Sequence, residues 1–198
     1  MTRLTLDDIA DRRAYERERE GFRQSVIALK QRRRIHVGPF VTMVFENRDT
    51  IRYQIQEMAR VEKTSTDEAI QNELDTYNPL IPEPGNLAAT LFIELTSDAD
   101  LRGWLPQLVG IERHVAVRTG QGAGATEVRV RVDPDHEKQL TREEITASVH
   151  YVHFAFTPEQ IEAFGQASVT LVLDHPAYEH ETVLSDDNRV ELLADLTG

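Results

Sequence analysis

The chain has 198 residues, carries a formal net charge of −12 and contains no cysteine. Its length allows about 70% of the unfolded surface to be buried, and the lack of cysteine excludes disulfides, thiol nucleophiles, zinc–thiolate sites and an iron–sulfur cluster held by this chain. The negative charge is concentrated in residues 61–198, where 25 acidic residues outnumber 9 basic ones, so nucleic acid is not expected as a partner.

The N-terminal region is predicted to be helical. The stretch MTRLTLDDIADRR is charged from its start, and no apolar run approaches the ~20 residues of a membrane span, so we expect a cytoplasmic protein without membrane insertion. Residues 14–34 predict a helix, because Phe22, Val26 and Leu29 fall on one stripe. The arginines at 32–34 should end this helix and pair with carboxylates, the alternative being an anion or nucleic-acid site.

A β-hairpin and two further helices follow. IHVGPFVTMVFE is rich in β-branched and aromatic residues and turns at Gly38. Asp49 or Thr50 can cap the next helix, and Thr66 can cap another that must end before Pro79. We assign a pocket-lining role in this region to Tyr53, Gln54, Glu57, Arg60 and Asn78. The alternative for Glu57 and Arg60 is an ordinary surface ion pair.

The remainder of the chain alternates strands with short helices. Strands are predicted over AATLFIEL, RHVAVRT, ATEVRVRV, ITASVHYVHFAF and SVTLVLDH. GQGAG joins two of them, so it lacks the helix N-terminus that a phosphate-binding loop needs. We therefore expect one α+β domain over residues 1–198, with a largely antiparallel or mixed sheet, helices on one face and a partly ferredoxin-like order. Residues 1–82 would form an N-terminal helical layer with a β-hairpin, and residues 83–198 a sheet-rich core.

Two patterns imitate metal sites without their full requirements. His150 and His153 spell HxxH, but their neighbours predict a strand, on which residues three apart point to opposite faces. Each is therefore better explained as a hydrogen-bonded sheet residue than as a ligand. Residues 133–144 place carboxylates as in a calcium-binding EF-hand loop, yet Lys138 stands where the turn requires glycine, so we expect a solvated acidic loop.

The stretch 171–184, LVLDHPAYEHETVL, is the main candidate site. If PAYE forms a four-residue loop, His175 pairs with His180 and Asp174 with Glu181, with Cβ atoms ~5 Å apart. The two histidines could then share a cation, whereas the two carboxylates would lie on the other face of the hairpin. A twist or bulge at the turn could bring three of the four groups together. The alternative is a solvated turn in which His175 is hydrogen-bonded.

Four stretches, IRYQIQEMARVE, ELDTYNPLIP, SVHYVHF and LDHPAYEHE, occur in this order over nearly the whole chain. Together they resemble an uncharacterised bacterial family, the domain of unknown function 3501. The resemblance implies a redox or oxidative-stress context, because genes of this family lie beside those for rubrerythrin-like di-iron proteins and cysteine-rich iron–sulfur oxidoreductases. The residues that fall in the shared stretches are Tyr53, Gln54, Gln56, Glu57, Asn78, Pro79, His150, Asp174, His175, Tyr178 and His180.

Three hypotheses follow. In the first, the protein is an accessory of a redox module that binds a divalent metal, iron, manganese or zinc, through His175, His180, Asp174 and Glu181, with His150 added from a neighbouring strand. In the second, it is a non-catalytic partner that docks onto an iron–sulfur or rubrerythrin-like protein, steered by its acidic surface. In the third, it is an enzyme whose general base is His175, with Tyr178 lining the pocket.

Overall fold

A computed structural model describes residues 3–64, 66–132 and 144–198. The helices of these residues are α1 (Arg12–Arg33), α2 (Arg48–Glu62), α3 (Asp67–Tyr77), α4 (Asp98–Trp104), α5 (Pro158–Gln166) and α6 (Asp186–Thr197). The strands are β1 (Arg34–Val37), β2 (Val41–Glu46), β3 (Asn86–Ile93), β4 (Val115–Thr119), β5 (Thr126–Arg129), β6 (Arg131–Val132), β7 (Val149–Ala155), β8 (Val169–His175) and β9 (Tyr178–Val183). The predicted α+β class is confirmed. The EF-hand-like segment lies, except for Glu144, outside the described residues.

The strands form two antiparallel sheets that pack face to face. The first sheet has the order β1-β2-β3-β7-β6 and the second has the order β5-β4-β8-β9. The strand–helix–strand order that suggested a ferredoxin-like arrangement is present, but its strands are divided between the two sheets. Alternate residues of each strand, such as Met43, Phe45, Leu91, Leu171 and Leu173, point into the shared core, because side chains alternate along a strand. This core separates the outer faces of the two sheets.

A helical layer made of α1, α2 and α3 covers the outer face of the first sheet. Ile51, Ile55, Leu74 and Leu80 form a second apolar cluster beneath it, joined by Leu4 of the N-terminal segment. Because β2 pairs with β3, the predicted helical layer and sheet-rich core share one sheet. No helix of the described ranges is long and apolar enough to cross a membrane.

Local cap chemistry sets most helix ends. Thr66 caps α3, as predicted, and Thr157 caps α5. The cap of α2 is Asn47, whose side-chain oxygen accepts hydrogen bonds from the backbone N–H groups of Asp49 and Thr50. The prediction that Asp49 or Thr50 is the cap was therefore wrong. Asn47 is the cap because its amide oxygen reaches these N–H groups, while the Thr50 hydroxyl accepts a hydrogen bond from the Asn47 N–H in return and completes a capping box.

The arginines that end α1 pair with carboxylates, as predicted. Arg32 bonds to Glu191, Arg33 to Glu191 and Asp195, and Arg34 to Glu94. Arg33 is fully buried and also donates to the carbonyl oxygens of Phe45 and Glu46. It therefore joins α1, α6 and the end of β2 at a single point.

Candidate functional site

The hairpin predicted as a metal site has a shorter turn than the sequence suggested. The Cα partners are His175–Tyr178, Asp174–Glu179, Leu173–His180 and Val172–Glu181. Only Pro176 and Ala177 remain as the turn, so the predicted four-residue loop was wrong. The burial of Tyr178 sets this register: its hydroxyl donates to Val37 O at 2.8 Å and accepts from the N–H groups of Phe40 and Val41.

His175 is buried with both ring nitrogens engaged. Ala177 N–H donates to Nδ1 at 3.2 Å, and Nε2 lies 3.2 Å from Val109 O. Nε2 therefore carries the ring hydrogen and Nδ1 accepts, which leaves neither nitrogen to act as a base or ligand without breaking a bond. His180 is on the same face but two residues out of register and exposed, with its ring 4.5 Å from that of Tyr178.

The two carboxylates of the predicted metal site lie on the opposite, outer face of the second sheet. Asp174 bonds to Arg129 at 2.6 Å and lies 3.3 Å from the Nδ1 atom of His114. Burial raises the pKa of Asp174, but Arg129 and His114 together outweigh burial, so this pKa lies below its usual range. Glu181 bonds to Arg118 at 3.1 Å. Both carboxylates are thus held by arginines.

The fifth candidate ligand, His150, belongs to the first sheet. Its Nε2 lies 2.9 Å from both Thr146 Oγ1 and Ala147 O, and its Nδ1 lies 3.8 Å from Glu112. His153 points to the other face of β7, as the alternation predicted. The candidate ligands therefore occupy three separate places, and within the described ranges no group of three or more histidine, aspartate or glutamate side chains is arranged to hold a metal ion.

The polar residues predicted on the second helix stabilise the helical layer. Glu57 accepts hydrogen bonds from Arg19 and Tyr15, each at 2.7 Å, and from Arg60 at 3.2 Å. The bond from Arg19 is the main reason that the pKa of Glu57 falls from 4.5 to about 2. This carboxylate is saturated by donors of its own chain, so it serves as a clamp between α1 and α2.

The other residues predicted to line a pocket are dispersed. Tyr53 packs edge-on against Phe22 of α1, and Asn78 makes two 2.9 Å hydrogen bonds to the backbone of Leu4. Arg60 lines a cavity of about 180 Å³ near the N-terminal segment. Only Gln54 of this set lines the pocket described next. The first sheet lies between all of these residues and the β8–β9 hairpin.

A pocket that no sequence pattern indicated lies between the helical layer and the first sheet. This interlayer pocket has a volume of about 250 Å³ and is lined by Lys30, Glu46, Ile51, Gln54, Tyr77, Leu80, Thr90, Phe92, Val149 and Tyr151. Glu46 and Thr90 lie on adjacent strands of the floor, and the Thr90 hydroxyl donates to Glu46 at 2.7 Å. The residues that flank Glu46 and Thr90 in the sequence do not indicate that these two polar side chains are buried next to each other.

Polar groups converge in the interlayer pocket. Glu46 is only 6% exposed. Burial, and then the nearby Tyr77 and Glu46, raise the pKa of Tyr151 to about 12, so its hydroxyl stays protonated and can donate. By contrast, the buried polar groups that line the smaller cavity are already engaged: Gln56 bonds to the backbone of Ala10, and the Tyr15 hydroxyl donates to Glu57. The interlayer pocket is therefore the better equipped of the two to hold a molecule.

The outer face of the second sheet is the other polar surface of note. It forms an open depression of about 500 Å³ whose charged residues are Arg118, Glu127, Arg129, Asp174, Glu179 and Glu181. Four carboxylates face two guanidinium groups, so the depression carries two carboxylates in excess. We call this surface the acidic face.

Comparisons with known proteins extend over nearly the whole chain. A family model described as "Protein of unknown function (DUF3501)" matches residues 3–196. The crystal structure of a novel protein of unknown function from Burkholderia pseudomallei is 35% identical and has a TM-score of 0.89, covering 98% of this chain and 100% of that chain. No curated protein matches the chain. The fold and the family are thus shared, and neither description states an activity.

Proposed function

Because this chain belongs to the DUF3501 family of proteins of unknown function, we propose that it is a cytoplasmic, non-catalytic accessory protein of a bacterial redox or oxidative-stress module. It acts by docking onto an iron–sulfur or rubrerythrin-like protein. The redox context comes from the family resemblance of its sequence. The acidic face carries the docking part of the proposal.

The acidic face has the character of a surface that meets a charged partner. It is an open sheet face rather than a deep cleft, and its excess of carboxylates favours a partner that presents lysines and arginines. Glu179 and Glu181 are exposed at its edge, Glu181 in an ion pair with Arg118, whereas the less exposed Asp174 is held in place by Arg129. Exposed charges of this kind accelerate association and orient the encounter more than they add to affinity. Such a contact suits a reversible accessory role.

Docking is tested by binding measurements with two purified probes, a rubrerythrin-like protein and a cysteine-rich iron–sulfur protein from one bacterium that encodes this chain. We expect binding that weakens when salt rises from about 50 to about 300 mM, because screening shortens the range of surface charges. The variant Glu179→Lys/Glu181→Lys should bind at least tenfold more weakly, whereas Glu68→Lys, on exposed α3, should bind as the parent does. The absence of binding to both probes, or an unchanged affinity of the double variant, would contradict the proposal.

Binding of iron, manganese or zinc by the hairpin stays a prediction. It would require His175 to give up its bond with Val109 or Ala177, and Asp174 or Glu181 to leave its arginine. The same holds for an enzyme that uses His175 as its base. Elemental analysis of protein purified without an affinity tag checks the metal prediction, and less than about a tenth of an equivalent after reconstitution would remove it.

A further inference from the structure

The interlayer pocket contains two opposite charges that do not meet. Glu46 is buried in its floor, and Lys30 of α1 lines the same pocket and is half-buried. Among the described residues, no cationic side chain lies within 4.0 Å of the Glu46 carboxylate, and no carboxylate lies within that distance of Lys30. A buried charge without a counter-charge is unfavourable unless another group compensates it.

The fixed neighbours leave room for a compensating molecule. From the part of the chain that the structure describes, the Glu46 carboxylate accepts one hydrogen bond, donated by Thr90, whereas a carboxylate has about four lone-pair sites. The fully buried Arg33 binds the backbone carbonyl of Glu46 and so fixes the end of β2. Three aromatic rings, Tyr77, Phe92 and Tyr151, surround the space, and ring faces attract an ammonium group.

The volume limits the size of what can enter. A space of about 250 Å³ corresponds to about eight waters at ~30 Å³ each and lies below the usual range for drug-sized ligands. A nucleotide is too large, whereas a molecule of a few carbons with two polar ends fits. Gln54 lines the same space and offers a side-chain amide to the polar groups of such a molecule.

We propose that the interlayer pocket binds a small zwitterion, with its ammonium group on the Glu46 carboxylate and its carboxylate on the Lys30 ammonium. The order of the charges follows from burial: the protein's anionic group lies deeper and its cationic group nearer to solvent. The ammonium of the ligand therefore enters first, among the aromatic rings. An amino acid is the chemical class that meets these requirements.

The proposal is independent of docking, since the pocket lies on the far side of the first sheet from the acidic face. The probes are α-amino acids with short side chains and the ω-amino acids β-alanine, γ-aminobutyrate and δ-aminovalerate, measured by calorimetry and by amide NMR shifts. The ω-amino acids vary the distance between the charges. Butylamine and butyrate each carry only one of the two charges of a zwitterion and serve as control ligands of similar size. At least one zwitterion should bind at least tenfold more tightly than both single-charge analogues, with shifts at the pocket residues.

Two variants separate the ends of the ligand. Glu46→Gln should weaken the zwitterion and butylamine at least tenfold, the loss expected for one charge-assisted hydrogen bond. Lys30→Met, at a half-buried position of α1, should weaken binding of the zwitterion but leave binding of butylamine unchanged. This variant identifies the carboxylate end of the ligand even if the buried substitution Glu46→Gln unfolds the protein. Arg23→Met, an exposed cation of the same helix, is the control and should change neither. No binding of any zwitterion at about 10 mM, or equal binding by the parent and Lys30→Met, overturns the proposal.

Discussion

Replacement of the buried Arg33 by methionine should destabilise the protein more than any other change to the arginines that end α1. Its guanidinium group donates to Glu191, Asp195 and two backbone carbonyls, and it is completely shielded from solvent. Methionine fills a similar volume but removes every donor. Asp195, only 6% exposed, then remains a buried charge without a counter-charge. Breaking one partner of a buried pair costs about 3–5 kcal/mol, which for a chain of this length lowers Tm by roughly 6–20 °C.

Urea unfolding and thermal scans of Arg33→Met and Arg34→Met measure this difference. Arg34 is the matched control, since its bond to Glu94 joins side chains that are 38% and 41% exposed, and such pairs contribute about 0–1 kcal/mol. Burial already raises the pKa of Asp195, and loss of the guanidinium should raise it further. The carboxyl then protonates more readily in the folded state, so the penalty should be smaller at pH 5 than at pH 8. A loss in Arg33→Met within about 1 kcal/mol of the control would refute the reasoning.

Two further predictions concern the helical layer and the turn between the first two strands. Because Arg19 holds the folded pKa of Glu57 at about 2 against 4.5, this clamp contributes fully above pH 4.5 and is lost as pH falls toward 2. After allowance for solvent screening, Glu57→Gln should therefore lower the free energy of unfolding by on the order of 1–2 kcal/mol at pH 7, and by progressively less below pH 4.5. Urea unfolding of both proteins across this pH range measures the difference, and a pH-independent difference would contradict the prediction. Gly38 has φ +75°, and a Cβ there would lie 2.5 Å from the Tyr178 hydroxyl oxygen. Gly38→Ala should therefore lower the free energy of unfolding by more than about 2 kcal/mol. Gly103→Ala in α4, where an added Cβ would meet nothing within 4 Å, should not lower it. Equal melting temperatures for these two alanine variants would show that the turn is not constrained.

Part of this structure could be predicted from local chemistry. Thr66, Thr157 and Pro79 mark helix ends because a cap or a missing N–H acts within a few residues. The alternation in β7 placed His150 and His153 on opposite faces for the same reason. These features depend on neighbours along the chain, and they supported the α+β class.

Tertiary structure decided the rest, because it brings together residues that are distant in sequence. The register of the β8–β9 hairpin depends on Tyr178, whose hydroxyl bonds to backbone about 140 residues earlier in the chain. The division of the strands into two sheets separates His150, on the first sheet, from the candidate ligands of the hairpin, on the second. The interlayer pocket joins Lys30, Glu46 and Tyr151 from a helix and two strands that no local pattern connects. Sequence alone therefore determined which elements form, whereas the packing of the sheets and helices determined which polar groups face one another and which charges lack a partner.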